Sequence, residues 1–354
     1  MSDARPPSNA TIHDVARLAA VSVATVSNVL NASRPVAAAT RERVLKAVAA
    51  LGYTPHAAAR SMRGRGSGLI GLIVADITNP FFTSLVHAVE RAAQGAGYAV
   101  LLCNSDEDPA REQQHLQLLR TQRVDGIILA ATGHASHERA AALGQTQAPV
   151  VLVDRGSAEF GRDAVMLDNR RASLEAVRHI IGFGHRRIAM LSGPATVSTA
   201  AERLAGYREA LLEGGLAYDE RWVHDTGYRE ERAYDAACEM LRTRDRPTAV
   251  FAANNLIAIG LMRAIADLGL HCPEDVSVVS IDDFAWANAF RPRMTTVAQP
   301  VAAMGESAVR MLLSRIDRSA AALPPRTEIM APMLVVRDSC CAPPQRVTAG
   351  VVVS

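Results

Sequence analysis

Apolar positions recur at helical spacing between residues 11 and 52. From residue 69 onward, short apolar runs alternate with amphipathic segments. The two patterns predict a small helical head followed by a larger α/β body. In the head, Thr11-Ile12-His13-Asp14 offers a hydroxyl N-cap with an acid three residues later. Ile12, Val15, Ala16, Ala19 and Ala20 then form a helical stripe. Val21-Ser22 breaks it, and Ser22 is a good N-cap for a second helix, Val23 to Leu30. That helix is expected to bury Val26, Val29 and Leu30 and to turn Ala24, Thr25, Ser27 and Asn28 outward. A third helix is predicted from Ala38 to Leu51, with Val44, Leu45 and Val48 inward and Gly52 as its stop.

In the body the strand candidates are Leu69–Ala75, Tyr98–Cys103, Gly126–Ala131, Val150–Val153, Arg187–Ser192, Thr248–Ala252 and Val276–Ile281. Phe81–Gln94, Glu112–Thr121 and Ala172–Ile181 have helical spacing. Short apolar strands between helices imply parallel sheets covered on both faces. So many units require two Rossmann-like subdomains or one closed barrel. Ligands of open α/β sheets bind beyond the carboxyl ends of the strands. There the sequence places Asp76, Asn79-Pro80-Phe81-Phe82, Asp154-Arg155, Ser198, Thr199, Arg203, Asn254-Asn255 and Asp282-Asp283. Carboxylates, amides and an arginine near aromatic rings suit a polyhydroxylated ligand. Each residue alone could be a helix cap, Asp76, Ser198 and Asn254 above all. Their recurrence at several strand ends favours a site.

Composition narrows this picture. With 354 residues, 49% hydrophobic and 21% charged, two or three compact units are expected. No apolar run approaches membrane-spanning length, and the N-terminus lacks a signal-peptide pattern, so a cytoplasmic location and no membrane partner are expected. Five cysteines without a C-x-x-C pair read as reduced structural thiols. The net charge of +2 hides an asymmetry: residues 1–66 hold nine basic against three acidic residues, +6, leaving −4 for the rest. A basic head on an acidic body points to nucleic acid. Two short helices joined by a tight turn and braced by a third form a helix-turn-helix, whose second helix fits the major groove. Thr25 and Ser27 could bond phosphates and Asn28 a base edge. The alternative is a plain three-helix bundle that packs on another surface.

Thr54-Pro55-His56-Ala57-Ala58-Ala59-Arg60-Ser61-Met62-Arg63-Gly64 has helical composition but too few residues to be a stable helix unaided. Such a segment can act as a folding switch. Gly64 to Gly68 reads as a flexible linker. His134 and His137 lie one helical turn apart without a nearby acid, and no nucleophile-elbow motif occurs. No metal, cofactor or enzymatic activity is expected.

The run V-S-V-A-T-V-S-N-V-L-N, preceded by an amphipathic helix, resembles the DNA-binding signature of the LacI/GalR family of bacterial regulators. The resemblance implies that Val23, Ala24 and Asn28 choose the operator sequence and that Thr25 and Ser27 position the helix on phosphates. Thr11, Ser22 and Asn31 complete the DNA-facing set of the head. It makes residues 55–67 a hinge helix and linker, with His56, Ala59, Arg60 and Met62 at the DNA. Met62 stands where most members carry Leu, and His56 where many carry Asn; a methionine still serves as an apolar minor-groove wedge.

The likeness extends through G-L-I-V-A-D-I-T-N-P-F-F, V-L-V-D-R, G-H-R-R-I-A-M-L-S-G-P, E-R-L-A-G-Y, T-A-V-F-A-A-N-N, P-E-D-V-S-V-V-S-I-D-D-F and T-T-V-A-Q-P, roughly residues 11–338. It implies an α plus α/β fold: a helix-turn-helix domain at 1–54, then an effector-binding and dimerisation domain at 68–338 of periplasmic-binding-protein type. An N-subdomain of about 68–168 plus 298–328 and a C-subdomain of about 169–297 plus 329–338 follow, with 339–354 as a tail. The matching effector positions are Phe81, Phe82, Asp154, Ser198, Thr199, Arg203, Tyr228, Asn254, Asp282, Trp286 and Gln299. Purine-responsive members carry arginine where this chain has Val197, which favours a sugar, sugar acid or sugar phosphate. The expected partners are a near-palindromic double-stranded operator, a sugar-like effector and a second copy of the chain. The rivals are an activator of the same architecture, a purine-like corepressor and a transport-type sugar-binding protein; the last suits neither the basic head nor the N-terminus.

Overall fold

The structure, a computed structural model, describes residues 10–31, 34–53, 66–133, 143–144, 146–156, 160–289, 291–317 and 323–344. Contacts divide the chain into two units, Met1–Ser67 and Gly68–Ser354.

In the first unit α1 spans Ile12–Leu18, α2 Val23–Asn31 and α3 Ala38–Leu51. Thr11 and Asp14 form a reciprocal capping box: the Asp14 amide donates to Thr11 Oγ1 at 3.3 Å and the Thr11 amide to Asp14 Oδ2 at 3.0 Å. Gly52 closes α3 in the left-handed region at φ 59°, a conformation a side chain would strain. Val15, Ala16, Ala19, Val26, Val29, Val44, Ala47 and Tyr53 form the core. Two expectations fail here. Leu45 is exposed and Ala47 takes its place, because the buried stripe of α3 follows 44 and 47. Ser27 is not outward: it is only 3% exposed. It stands three residues before Leu30 and one after Val26, which rotates it toward the packed face.

The second unit holds two six-stranded sheets, so the barrel alternative is overturned. The first comprises β1 (Leu69–Val74), β2 (Ala99–Asn104), β3 (Gly126–Leu129), β4 (Val150–Val153), β5 (Asp163–Leu167) and a late strand, β11 (Thr327–Met330). Its order is β11-β5-β4-β3-β1-β2, parallel throughout. The second comprises β6 (Ile188–Ser192), β7 (Val223–Asp225), β8 (Ala249–Ala252), β9 (Ser277–Ile281), β10 (Thr295–Ala298) and β12 (Met333–Val335). Its order is β12-β10-β9-β8-β6-β7, with β12 antiparallel to β10. The central strands β3, β4, β6, β8 and β9 are buried along their whole length, as expected of parallel strands covered on both faces.

The helices are α4 (Pro80–Gly95), α5 (Pro109–Thr121), α6 (Asn169–Gly182), α7 (Ser198–Glu213), α8 (Glu230–Leu241), α9 (Asn255–Asp267) and α10 (Val301–Ile316). Helix α10 packs on α4, which returns the chain to the first subdomain after β10. The chain therefore passes between subdomains three times: after β5, after β10 and after β11.

Two expected boundaries shift. Ile329 and Met330 pair with Met166 and Leu167, so the last passage falls after 330 and not at 328. The expected tail also starts too early. Ser339 is fully buried; its carbonyl accepts from the Val278 amide at 2.8 Å, and its hydroxyl accepts from the Thr295 amide at 2.7 Å. A residue that satisfies two strands at once docks the segment where no apolar pattern announces it. Among the described residues no helix is long and apolar enough to cross a membrane.

Candidate functional site

The carboxyl ends of both sheets meet at a narrow cleft lined by Asn79, Phe81, Phe82, Asp154, Arg155, Thr199, Arg203, Tyr228, Asn254, Asp282 and Gln299. Nine of the eleven expected effector residues are brought together here. Ser198 lies just outside; its hydroxyl accepts from the Gly156 amide across the subdomain boundary at 3.4 Å. Trp286 is not part of the lining: half exposed, it packs edge-on against Phe284, with ring centroids 5.6 Å apart. The short 3-10 turn Ala285–Asn288 carries its ring away from the strand end. Asn79 and Arg155 line the cleft although the expected set omits them. The signal was present, since both stand in strand-end runs already singled out.

Local chemistry explains how each side chain arrives. Asn79 caps α4, accepting from the Phe81 amide at 2.9 Å, and so aims Phe81 and Phe82 at the cleft. Asn254 caps α9 by accepting from the Ile257 amide at 2.9 Å. Capping and lining are thus combined in one residue. Tyr228 stands over Gly193, where an added Cβ would collide with its ring, and its hydroxyl bonds Thr199 Oγ1 at 3.1 Å. Arg203 donates from Nε to Asn169 Oδ1 at 2.7 Å and from Nη1 to the Ala253 carbonyl at 2.5 Å. Gln299 donates to Asp282 Oδ1 at 2.6 Å. Asp154, Tyr228 and Asp282 all adopt left-handed backbone, with φ of 64°, 57° and 74°. Non-glycine residues held there cost about 1–3 kcal/mol each and cluster at functional sites.

The electrostatics are those of a buried, charged pocket. Burial pushes the Asp154 carboxyl up to about 6, against the opposing pull of Arg155 and Arg203. Burial likewise raises Asp282, opposed by Arg203 and the Gln299 hydrogen bond. Burial works against the charge of Arg155, but Glu107 at 2.6 Å outweighs it and holds the guanidinium firmly protonated. Among the described residues no group of three or more His, Cys, Asp or Glu could hold a metal ion; His134 and His137 lie outside them.

In the first unit, α2 presents Ala24 as exposed and Val23, Thr25 and Asn28 as partly exposed. The Ser22 hydroxyl accepts from the Thr25 amide at 3.1 Å and lies 2.9 Å from the Thr25 hydroxyl, so the two sit together at the helix start, where backbone amides lack intrahelical partners. Thr11 is exposed at the start of α1. The Asn31 side chain and residues His56, Ala59, Arg60 and Met62 lie outside the described residues.

Comparisons with known proteins match both parts of the chain. Residues 11–56 match the model for bacterial regulatory proteins of the lacI family, and residues 67–334 that for periplasmic binding proteins and the sugar-binding domain of the LacI family. The chain is 35% identical to the HTH-type transcriptional repressor PurR of Photobacterium profundum, over 93% of this chain and 98% of that protein. It is 33% identical to the HTH-type transcriptional regulator DegA of Bacillus subtilis, over 93% and 97%. Among solved structures, the Lac repressor dimer bound to operator and the anti-inducer ONPF superposes with a TM-score of 0.84 at 28% identity, over 94% and 100% of the two chains. A complex of the transcriptional regulator CelR with cellobiose gives 0.71 at 32% identity, over 94% and 100%.

Proposed function

We propose, from the premise that the chain belongs to the LacI family of bacterial regulatory proteins, that it is a sequence-specific DNA-binding repressor controlled by a small polyhydroxylated effector. The observation that carries the effector reading is the convergence of carboxylates, guanidiniums, amides and aromatic rings from both sheets on one cleft. Effector contacts that differ between two subdomain arrangements bias the population of one of them. The segment 55–67 then couples that change to the head, with His56, Ala59, Arg60 and Met62 acting at the DNA. In the head, Val23, Ala24 and Asn28 read base edges, and Thr25, Ser22, Thr11 and Asn31 position the helix on the backbone. Ser27, being buried, supports α2 instead of touching phosphate.

The chain works as a homodimer in the cytoplasm, two heads reading the two halves of a near-palindromic operator. Repression is favoured over activation because relatives such as PurR are named repressors, and for the same reason the protein is read as a regulator and not an enzyme. Val197, buried and apolar, supports a sugar-like ligand over a purine. The test is selection of a binding site from a random DNA pool. One enriched palindrome is expected, bound far more tightly than bulk DNA, with affinity falling steeply as salt rises. Equal affinity for all sequences would sink the reading.

A further inference from the structure

The three chain passages that join the subdomains all lie at one edge of the sheets: after β5, after β10 and between β11 and β12. Strands β2 and β7 form the opposite edge of their sheets. Each stands four strand spacings from β5 or β10, about 19 Å in all. An opening of about 10° around the passages therefore parts the far edge by about 3 Å. At this far edge Arg229, which follows β7, reaches across to the end of β2. Its Nη2 donates to the Asp106 carbonyl at 3.1 Å, and its Nη1 lies 3.5 Å from Asp106 Oδ1. The same Nη1 is 3.9 Å from Asp76 Oδ2, beyond the end of β1. Arg111 holds Asp106 from its own side at 3.3 Å, and Thr78 donates twice to Asp76 Oδ1. Both carboxylates are thus oriented by their own subdomain. Further in from the edge, Asn255 Nδ2 donates to Asn79 Oδ1 at 3.0 Å, a second bond between the subdomains and a buried one.

We propose that Arg229 is a latch on the closed arrangement of the two subdomains, gripping Asp106 at the edge where they part furthest. A bond there resists opening with the longest lever arm, whereas the same bond beside the passages would barely lengthen. Adding about 3 Å to contacts of 3.1 and 3.5 Å removes the hydrogen bond and the close ion pair together. Asp106 and Tyr228, which precedes Arg229, both hold left-handed backbone, at φ 55° and 57°, so the latch joins equivalent turns of the two halves. Partial exposure of both side chains keeps the pair weak. That suits a contact that must break and re-form each time the cleft admits a ligand. It also leaves the latch open to screening by salt, unlike the buried Asn255–Asn79 bond, so ionic strength sets how firmly the far edge is held. The latch bears on DNA binding only through the effector-controlled closure proposed above; closure itself is measurable without a ligand.

The test is amide hydrogen exchange of the full chain, read by mass spectrometry without ligand, on the wild type, Arg229→Gln, Asp106→Asn and the double variant. Asparagine tolerates the left-handed backbone at 106, so that variant removes charge without adding strain. The Gly156 amide, which donates to Ser198 Oγ across the subdomain boundary, reports opening at a site away from both substitutions. Its segment is expected to exchange about threefold faster in each single variant, and no faster in the double. Sodium chloride at about 0.5 M should speed the wild type toward the variants and leave the variants nearly unmoved. Acceleration confined to residues 105–108 and 226–230 would show a local surface ion pair and overturn the latch. So would additive effects in the double variant, unchanged exchange at Gly156, or acceleration spread into the core strand β9, which marks general destabilisation. None of these outcomes touches the effector reading, which fails separately if no sugar alters operator binding.

Discussion

The two halves of the body share one frame and fill it differently. In each, the first strand lies beside the second on one side and the third on the other, followed by the fourth and fifth, and a late strand returns to the far edge. The likeness reaches the backbone of the strand ends. After the second strand, Asp106 and Glu107 in one half and Tyr228 in the other have positive φ; after the fourth, Asp154 and Asp282 do. The side chains then diverge. Asp154 is followed by Arg155, turned into the cleft. Asp282 is followed by Asp283, which turns away to Arg337 at 2.8 Å. The late strand also differs, parallel in the first sheet and antiparallel in the second. A duplicated frame thus supplies strained, outward-presenting positions, and the choice of side chain makes the site asymmetric.

Arg203→Met should break that arrangement most severely. It strips the cleft of one of its two cations and leaves Asn169 Oδ1 without its donor, so a stability loss of about 3 kcal/mol is expected in urea denaturation, together with loss of effector response. Asp154→Asn acts in the opposite direction. With a folded pKa raised to about 6 from an ordinary 3.8, the carboxyl contributes stability below pH 4 that is lost as pH rises through 6. The asparagine variant should therefore match the wild type near pH 4 and exceed it at pH 7, by at most about 3 kcal/mol.

Gly193→Ala forces a methyl against the Tyr228 ring, and about 1–3 kcal/mol of destabilisation by overpacking is expected in thermal melts. Asp283→Asn sharpens the contrast with its counterpart Arg155. Asp283 is held below the ordinary carboxylate range: burial would raise it, but the Arg337 and Thr296 hydrogen bonds outweigh that. Its contribution is present at neutral pH and lost on acidification, so the variant should cost about 1 kcal/mol at pH 7 and leave ligand titrations unchanged.

What was legible in the sequence follows physical lines. Val150–Val153 and Ala249–Ala252 are buried on both faces and show as continuous apolar runs. The edge strands Val223–Asp225 and Thr327–Met330 are short and at least half polar, and give no such run. Nine of eleven expected effector residues reach the cleft because strand ends are fixed by topology. Trp286 and Ser27 went elsewhere because their direction depends on a local turn and a helix rotation. Arg155 was visible beside Asp154, yet only the left-handed backbone at Asp154 turns both neighbours toward one cavity.

The central claim is that this cleft governs DNA binding by the head. Fluorescence anisotropy on an operator selected from a random pool, with and without a sugar that calorimetry has already shown to bind, tests it most directly. A change of about tenfold or more in operator affinity, absent in Arg203→Met, is expected. An operator affinity unmoved by saturating sugar would contradict it.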